Sequence, residues 1–364
     1  MNSIEKKDKK TTIKDIAKVT GLSISTVSRV LNNSRNVKKE YKEKIIEVAR
    51  ELHYEPNMAA KYIKGAKTNN IAVLVPDISH PFFSTILKGM IEQSRKSGKN
   101  LIIYSSDGKR ENEEISLNQI SKALIDGFLF SPISRTKFIQ PEKNGINLPT
   151  AIFGRRKMNN EIPHIYSDNI KGGYLATKYL LRLGRKEIGF LAGFWEAPCS
   201  NNDIHKIINE DWVGSFSTLD RFKGYLKALK EYNVQYDPER VVICGYKRDD
   251  GYKAMQELFS RMVKIDSVLS PNDIVATGII SFLEEQNLDI PGDISVIGYD
   301  DNLIAPVTKP GLTSIKQDPE MIGKSSIEII NKMINGEKIE RKDIIIDISL
   351  SIRGSTGKIK KPPE

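Results

Sequence analysis

Residues Thr12 to Leu31 read TIKDIAKVTGLSISTVSRVL, two short helical patterns joined by a tight turn. Ile13, Ile16 and Ala17 recur at helical spacing, Gly21 offers the positive φ that a sharp turn needs, and Ser23 is placed to cap the second helix. In that second helix Val27, Val30 and Leu31 point inward together. Ile24, Ser25, Ser28, Arg29 and Asn32 therefore share the opposite face, where a recognition helix presents side chains to the DNA major groove. An ordinary amphipathic hairpin carries Glu and Lys on its solvent face, whereas this face is almost free of carboxylates.

Charge follows the same division of the chain. Residues 1–67 hold 16 Lys and Arg against 8 Asp and Glu, so most of the overall excess of +10 lies in the first fifth of the chain. A basic end of this kind supplies the salt-sensitive attraction to phosphates on which base reading is superimposed. A third helix is expected from about Lys39 to Leu52, with Tyr41, Ile45, Val48, Ala49 and Leu52 as its apolar stripe. It completes a three-helix headpiece over residues 1–56. Pro56 then stops one helix and can begin another, Asn57 to Lys64, before a polar linker ending at Asn70.

From Ile71 the pattern changes to short apolar runs alternating with longer amphipathic helices. The expected strands are Ile71–Val75, Leu101–Tyr104, Phe128–Phe130, Thr150–Phe153, Ile188–Leu191, Val241–Ile243, Val268–Leu269 and Ser295–Ile297. This is the rhythm of parallel sheets covered by helices, and residues 71–357 are too many for one doubly wound sheet. Two lobes follow, one from about 71–168 and 300–330, the other from about 169–299 and 331–353, with a cleft between them. Ligands in such folds bind at the carboxyl ends of the strands.

Composition excludes several classes. The 364 residues are 39% hydrophobic and 28% charged, an ordinary balance for a water-soluble protein, and no run of eighteen apolar residues occurs. The lysine-rich first residues lack the apolar segment of an export signal, so the expected location is the cytoplasm, away from any membrane. Cys199 and Cys244 are isolated, and His53, His80, His164 and His205 are scattered, so no metal, disulfide framework or catalytic cluster is expected. GxxxxGK[ST], HExxH and GxSxG are all absent, which argues against an enzyme and leaves no cofactor implied. A transport-type binding protein would share the two-lobed core without needing the basic headpiece.

TIKDIAKVTGLSISTVSRVLNN, YEPNMAAKYIKG, IAVLVPDISHPFF, SVIGYDD and LTSIKQD occur in that order, and together they resemble the signatures of the LacI/GalR family of bacterial transcriptional repressors. The resemblance covers nearly the whole chain. It implies an all-α helix-turn-helix headpiece, a hinge helix, and a two-lobed core of the periplasmic-binding-protein type. It also implies a homodimer on double-stranded operator DNA, answering allosterically to a small effector, a sugar or sugar derivative.

Carried over by position, the resemblance assigns base reading to Ile24, Ser25 and Arg29, and mainly backbone contacts to Thr12, Ser23, Thr26, Ser28 and Asn32. Arg29 has the planar fork that reads guanine, and Ile24 and Ser25 suit a thymine methyl and an adjacent base edge. The segment Asn57 to Lys64 matches the hinge helix, with Asn57, Ala60 and Ile63 toward the minor groove and Ile63 where relatives carry a wedge-like leucine. Effector contacts are expected from Ser79, His80, Phe82 and Phe83 after the first strand and from Arg155 after the fourth. Arg221, Asn272 and Asp300 match the family's ligand-binding arginine, asparagine and aspartate; Tyr246 falls at an aromatic wall and Gln317 near a further polar position.

Two departures stand out. His80 replaces a common Asn and Gly154 a common Asp, so the donors and acceptors differ from the usual sugar pocket. The stretch Phe194 to Leu219, with Trp195, Trp212, His205 and Cys199, is longer than most relatives use, and is read either as a lid or rim over the cleft that supplies a stacking aromatic or as a tolerated surface insertion. The basic tail GSTGKIKKPPE has no leucine heptads, so a tetramerising coiled coil is not expected.

Overall fold

A computed structural model describes residues 11–31, 37–55, 67–133, 145–156, 162–195 and 217–359. The chain divides into two compact units, Met1–Thr68 and Asn69–Glu364.

The smaller unit contains helices α1 (Ile13–Thr20), α2 (Ile24–Leu31) and α3 (Lys39–Glu51). Helix α1 begins where the backbone N–H and the hydroxyl of Thr12 both donate to Asp15 Oδ2, at 2.8 and 2.7 Å. It ends at Gly21, whose φ of +72° makes the left-handed turn that a side chain would oppose. Ser23 caps α2, its hydroxyl accepting from Thr26 N–H at 3.2 Å. Ile16, Ala17, Val27, Val30, Ile45 and Val48 form one buried core, and Leu31, Ala49 and Leu52 pack around it. Tyr41 is half-buried outside that cluster.

The larger unit contains two six-stranded sheets. The first lobe has β1 (Asn70–Val75), β2 (Asn100–Ser105), β3 (Gly127–Phe130), β4 (Thr150–Phe153) and β5 (His164–Ser167). The second has β6 (Ile188–Gly193), β7 (Val241–Cys244), β8 (Ser267–Leu269), β9 (Ser295–Asp300) and β10 (Thr313–Lys316). Two late strands go to different lobes: β11 (Asp343–Ile346) lies parallel to β5, and β12 (Ser349–Ser351) antiparallel to β10. The strand orders are β11-β5-β4-β3-β1-β2 and β12-β10-β9-β8-β6-β7.

Strand β1 shows why both faces are covered. Ile71, Val73 and Val75 join one core cluster while Ala72 and Leu74 join the other, the period-2 alternation of a strand between two helical layers. In the first lobe those layers are α4 (Pro81–Lys96), α5 (Arg110–Ile120) and α10 (Pro319–Ile334). In the second they are α6 (Asn169–Arg182), α7 (Ser217–Glu231), α8 (Arg248–Ser260) and α9 (Asp273–Glu285). Fully buried Arg185 ties the chain's return to the second lobe, donating to the carbonyls of Asp266, Asp293, Gly357 and Lys358 as well as Pro291 and Gly292.

The eight expected strands are present, but the lobe boundaries late in the chain differ from expectation. Residues 300–316 stay in the second lobe because β10 pairs with β9, and residues 319–346 belong to the first. There Ile322, Ile327 and Ile330 of α10 fill its core. The chain thus crosses between lobes three times, through Asp168, Gln317–Asp318 and Asp347–Ile348. These late strands are three or four residues long, too short for a pattern to say which sheet edge they pair with.

Candidate functional site

On the headpiece, burial of Val27 and Val30 turns Ile24, Ser25 and Arg29 outward. Ile24 is 50% exposed, an apolar side chain on an otherwise polar face. The Ser23 hydroxyl lies 2.8 Å from both the Ser25 and Thr26 hydroxyls, a small network that steadies the start of α2. Thr12 and Ser23 are exposed, and Thr26 and Ser28 half-buried. The arrangement offers one guanidinium fork, one apolar contact and several hydroxyls to a groove. Asn32, Asn57, Ala60 and Ile63 lie outside the described residues, as does the expected hinge helix.

In the larger unit, a cavity of about 60 Å³ opens where the carboxyl ends of the strands of both lobes meet. Eight of the expected effector residues line it: His80, Phe82, Phe83 and Arg155 from the first lobe, and Arg221, Tyr246, Asn272 and Asp300 from the second. Three helix starts do much of the positioning. His80 and Asn272 occupy the caps of α4 and α9, Ser217 begins α7, and Arg221 follows one turn later.

The two caps meet across the cleft. Asn272 Oδ1 accepts from Val275 N–H at 2.7 Å, which orients the amide; its Nδ2 then donates to Tyr246 O at 3.2 Å and to His80 Nε2 at 2.9 Å. A neutral imidazole has one unprotonated nitrogen, so this bond takes precedence over the longer 3.3 Å approach of Phe82 N–H to Nδ1. Burial holds the His80 pKa down to about 4, with Asp77 opposing and Arg221 reinforcing the shift, so the ring is neutral near pH 7.

Arg221 is fixed by neutral groups. Its Nε donates to Asn169 Oδ1 at 2.8 Å and its Nη1 to Pro271 O at 2.5 Å, while the guanidinium lies 3.4 Å over the Tyr299 ring. Asp300, at the end of β9, adopts a φ of +103°, a strained conformation for a residue with a side chain. Burial pushes its pKa up to about 7, against the pull of Arg221 and of Gln317, which donates to Oδ1 at 2.6 Å. Arg155 is 7% exposed, and burial lowers its pKa while Tyr246 and Glu113 act in the other direction.

One wall is aromatic. Trp195 lies 4.8 Å from Tyr246, 5.8 Å from His80 and 6.1 Å from Phe83 between ring centroids, and Phe82 meets Phe83 edge-on at 5.3 Å. The expected stacking aromatic from the long segment is therefore at the cavity, although residues 196–216 lie outside the described ones. Gly108, with φ +70°, lets Trp195 approach: a Cβ there would stand 2.7 Å from the indole.

Two expectations are corrected. Ser79 is exposed and turned away, its N–H and hydroxyl both bonded to Asp77 Oδ1 at 2.8 and 2.7 Å. Gln317 does not line the cavity; it sits on a crossover behind Asp300 and acts through it. Ser131, Ile133, Ser217 and Pro271 line the cavity without having been singled out. Ser131 immediately follows β3, so the strand-end rule applied to every strand would have found it. Among the described residues no His, Cys, Asp and Glu group is arranged to hold a metal, and no helix is long and apolar enough to cross a membrane.

A three-helix headpiece and a two-lobed α/β core with a cleft between its lobes share one chain. Residues 12–57 match the model of bacterial regulatory proteins of the lacI family, and residues 177–356 match the periplasmic binding protein-like domain. The HTH-type transcriptional regulator RegA of Clostridium saccharobutylicum is 30% identical over 95% of this chain and 99% of its own length. The HTH-type transcriptional repressor PurR of Pasteurella multocida is also 30% identical, over 94% of this chain and 98% of its own. Among solved structures, a transcriptional regulator CelR–cellobiose complex aligns with a TM-score of 0.68 at 25% identity, covering 95% of this chain and all of that one. A lac repressor dimer bound to operator and the anti-inducer ONPF aligns at 0.79 and 24% identity, covering 96% of this chain and all of that one. This chain belongs to the LacI family, and its relatives and structural neighbours are transcription regulators, not enzymes.

Proposed function

We propose that the chain is a cytoplasmic, homodimeric repressor that binds double-stranded operator DNA and whose operator affinity is set by a small effector, a sugar or sugar derivative, in the cleft between the lobes. The observation that carries this reading is the convergence of His80 and Arg155 from one lobe with Arg221, Asn272 and Asp300 from the other on a single cavity. A ligand touching both sides binds one lobe arrangement better than another, and differential affinity of that kind is what shifts a two-state equilibrium. Aromatic walls beside hydrogen-bonding groups suit a compact polyol, stacked on its faces and bonded at its edges. Relatives support the ligand class: one structural neighbour, the regulator CelR, is in complex with cellobiose, another LacI-family regulator carries ribose, and one relative is a ribose operon repressor.

Operator contacts are assigned to Ile24, Ser25 and Arg29 at bases, with Thr12, Ser23, Thr26, Ser28 and Asn32 at the backbone. The pair of hinge segments in a dimer, through Asn57, Ala60 and Ile63, would engage the minor groove. The test is a gel shift of the chain on DNA upstream of its own gene, with and without a panel of sugars and sugar derivatives. A specific shift whose midpoint moves with one class of compound is expected, and the direction of movement distinguishes inducer from corepressor. No specific shift, or a shift indifferent to every compound that stabilises the core, would overturn the reading.

A further inference from the structure

We infer that the effector is a small organic oxyanion, a carboxylate or phosphate on a hydroxylated carbon skeleton, gripped between Arg155 of the first lobe and Arg221 of the second. This rests on the cleft being the effector site.

The two guanidinia line the same cavity from opposite lobes, and the Tyr246 hydroxyl lies within electrostatic reach of both. Among the described residues, the acids that act on them are Glu113 and Asp300. Asp300, the carboxylate lining the cavity among the described residues, accepts from Gln317 at 2.6 Å. Glu113, wholly buried behind Arg155, tempers its charge and accepts from Ile133 N–H at 2.7 Å. Arg221 meets an amide oxygen, a carbonyl and a ring face. The Ser131 hydroxyl, 1% exposed and lining the same cavity, has no hydrogen-bond partner among the described residues. One uncommitted hydroxyl donor and two arginines from facing walls form a cradle for oxygens that carry negative charge.

The geometry also couples charge to closure. Cations on opposite walls repel one another as the walls approach, and Glu113 near Arg155 and Asp300 near Arg221 offset part of that cost. An anion between them reverses the sign of that interaction. A neutral sugar can occupy the hydroxyl-binding groups but leaves the repulsion in place.

The experiment uses the intact chain and inorganic phosphate as first probe, exchanged against chloride at constant ionic strength, with the thermal midpoint as readout. Phosphate strengthens burial in any protein, so the specific effect is the saturable rise in wild type that Arg155→Met lacks. Arg155→Lys, which keeps the charge and loses the fork, is expected to retain part of the rise, and Ser131→Ala to weaken it several-fold. Those two variants carry the test if Arg155→Met does not fold. The second arm compares matched sets by calorimetry: ribose, ribonate and ribose 5-phosphate; glucose, gluconate and glucose 6-phosphate. An acid or phosphate ester binding at least roughly tenfold tighter than its neutral parent is expected, and the preferred member tells carboxylate from phosphate. A neutral parent that binds as well as its anions, a phosphate response that survives in Arg155→Met, or no response to any anion overturns the inference. Operator gel shifts on the same samples separate the two readings: a shift that responds to a neutral sugar keeps the regulator and rejects the anion, while no specific shift rejects the regulator itself.

Discussion

Ile24, Ser25 and Arg29 lie on consecutive turns of one eight-residue helix, whereas Arg155 and Arg221, which line one cavity, come from different lobes and are held by different elements. The recognition face is a local object: once α2 forms and buries Val27 and Val30, its opposite side has no alternative but to face out. The cleft is a tertiary object. His80 reaches Asn272 only because two sheets present the starts of α4 and α9 to one another. The contrast separates two kinds of vulnerability, one in which a small core supports a small face and one in which many elements share the support.

The largest expected effect tests that separation. Ile16 is fully buried at the centre of the headpiece core, so Ile16→Ala should cost about 2–5 kcal/mol, enough to unfold a unit this small. Operator binding should disappear while effector binding, read by calorimetry, is unchanged; loss of both would break the comparison. Arg29→Ala should cost about 1–3 kcal/mol of operator affinity and relax one operator position, measured by gel shift at fixed salt against single-base operator variants. A weakening uniform across sequences would instead reassign Arg29 to the backbone.

In the cleft, Trp195→Ala removes ring contacts to Tyr246, His80 and Phe83. Aromatic pairs are worth about 0.5–1.5 kcal/mol, so a several-fold loss of effector affinity with operator affinity unchanged in the absence of effector is expected. The smallest net effect concerns pH, because the buried carboxyls Asp300 and Asp273, each pushed up by burial and Asp273 also by Asp300, oppose the buried imidazole of His80. Asp300, with its pKa raised from an unfolded value near 3.8 to about 7, loses stability as pH rises through that window. His80, with its pKa depressed from 6.5 to about 4, loses stability as pH falls through its own. Asp300→Asn should therefore gain stability relative to wild type as pH rises from about 4 to 7, in thermal melts without effector. A constant difference between the two melting curves would show that Asp300 is ionised across the range.

Legibility followed the same division. The headpiece was readable from Thr12 to Leu52 because each residue that mattered lay three or four positions from its neighbours. Strands with apolar runs, such as Ile71–Val75, were readable because the apolar residues are contiguous in the chain. β5, β10 and β12 were not, since three or four residues mixing polar and apolar side chains carry no usable period, and the short run of β11, Asp343–Ile346, does not say which sheet it joins. In the cleft, residues at strand ends were identified by type and position, but their orientation was not. Ser79 satisfied itself on Asp77, and Gln317 satisfied Asp300 rather than a ligand. The Asn272 amide, expected to face an effector, spends one hydrogen on His80, the residue that departs from the usual asparagine.

By itself the sequence determined that a basic, carboxylate-poor helical face precedes a long parallel α/β core, because helical and strand periodicities are properties of neighbouring residues. Only the tertiary structure decided which lobe each late strand joins, which way each polar side chain turns, and that two arginines distant in the chain share one cavity. Those outcomes depend on free strand edges and unsatisfied donors meeting in space, which residue spacing along the chain does not encode.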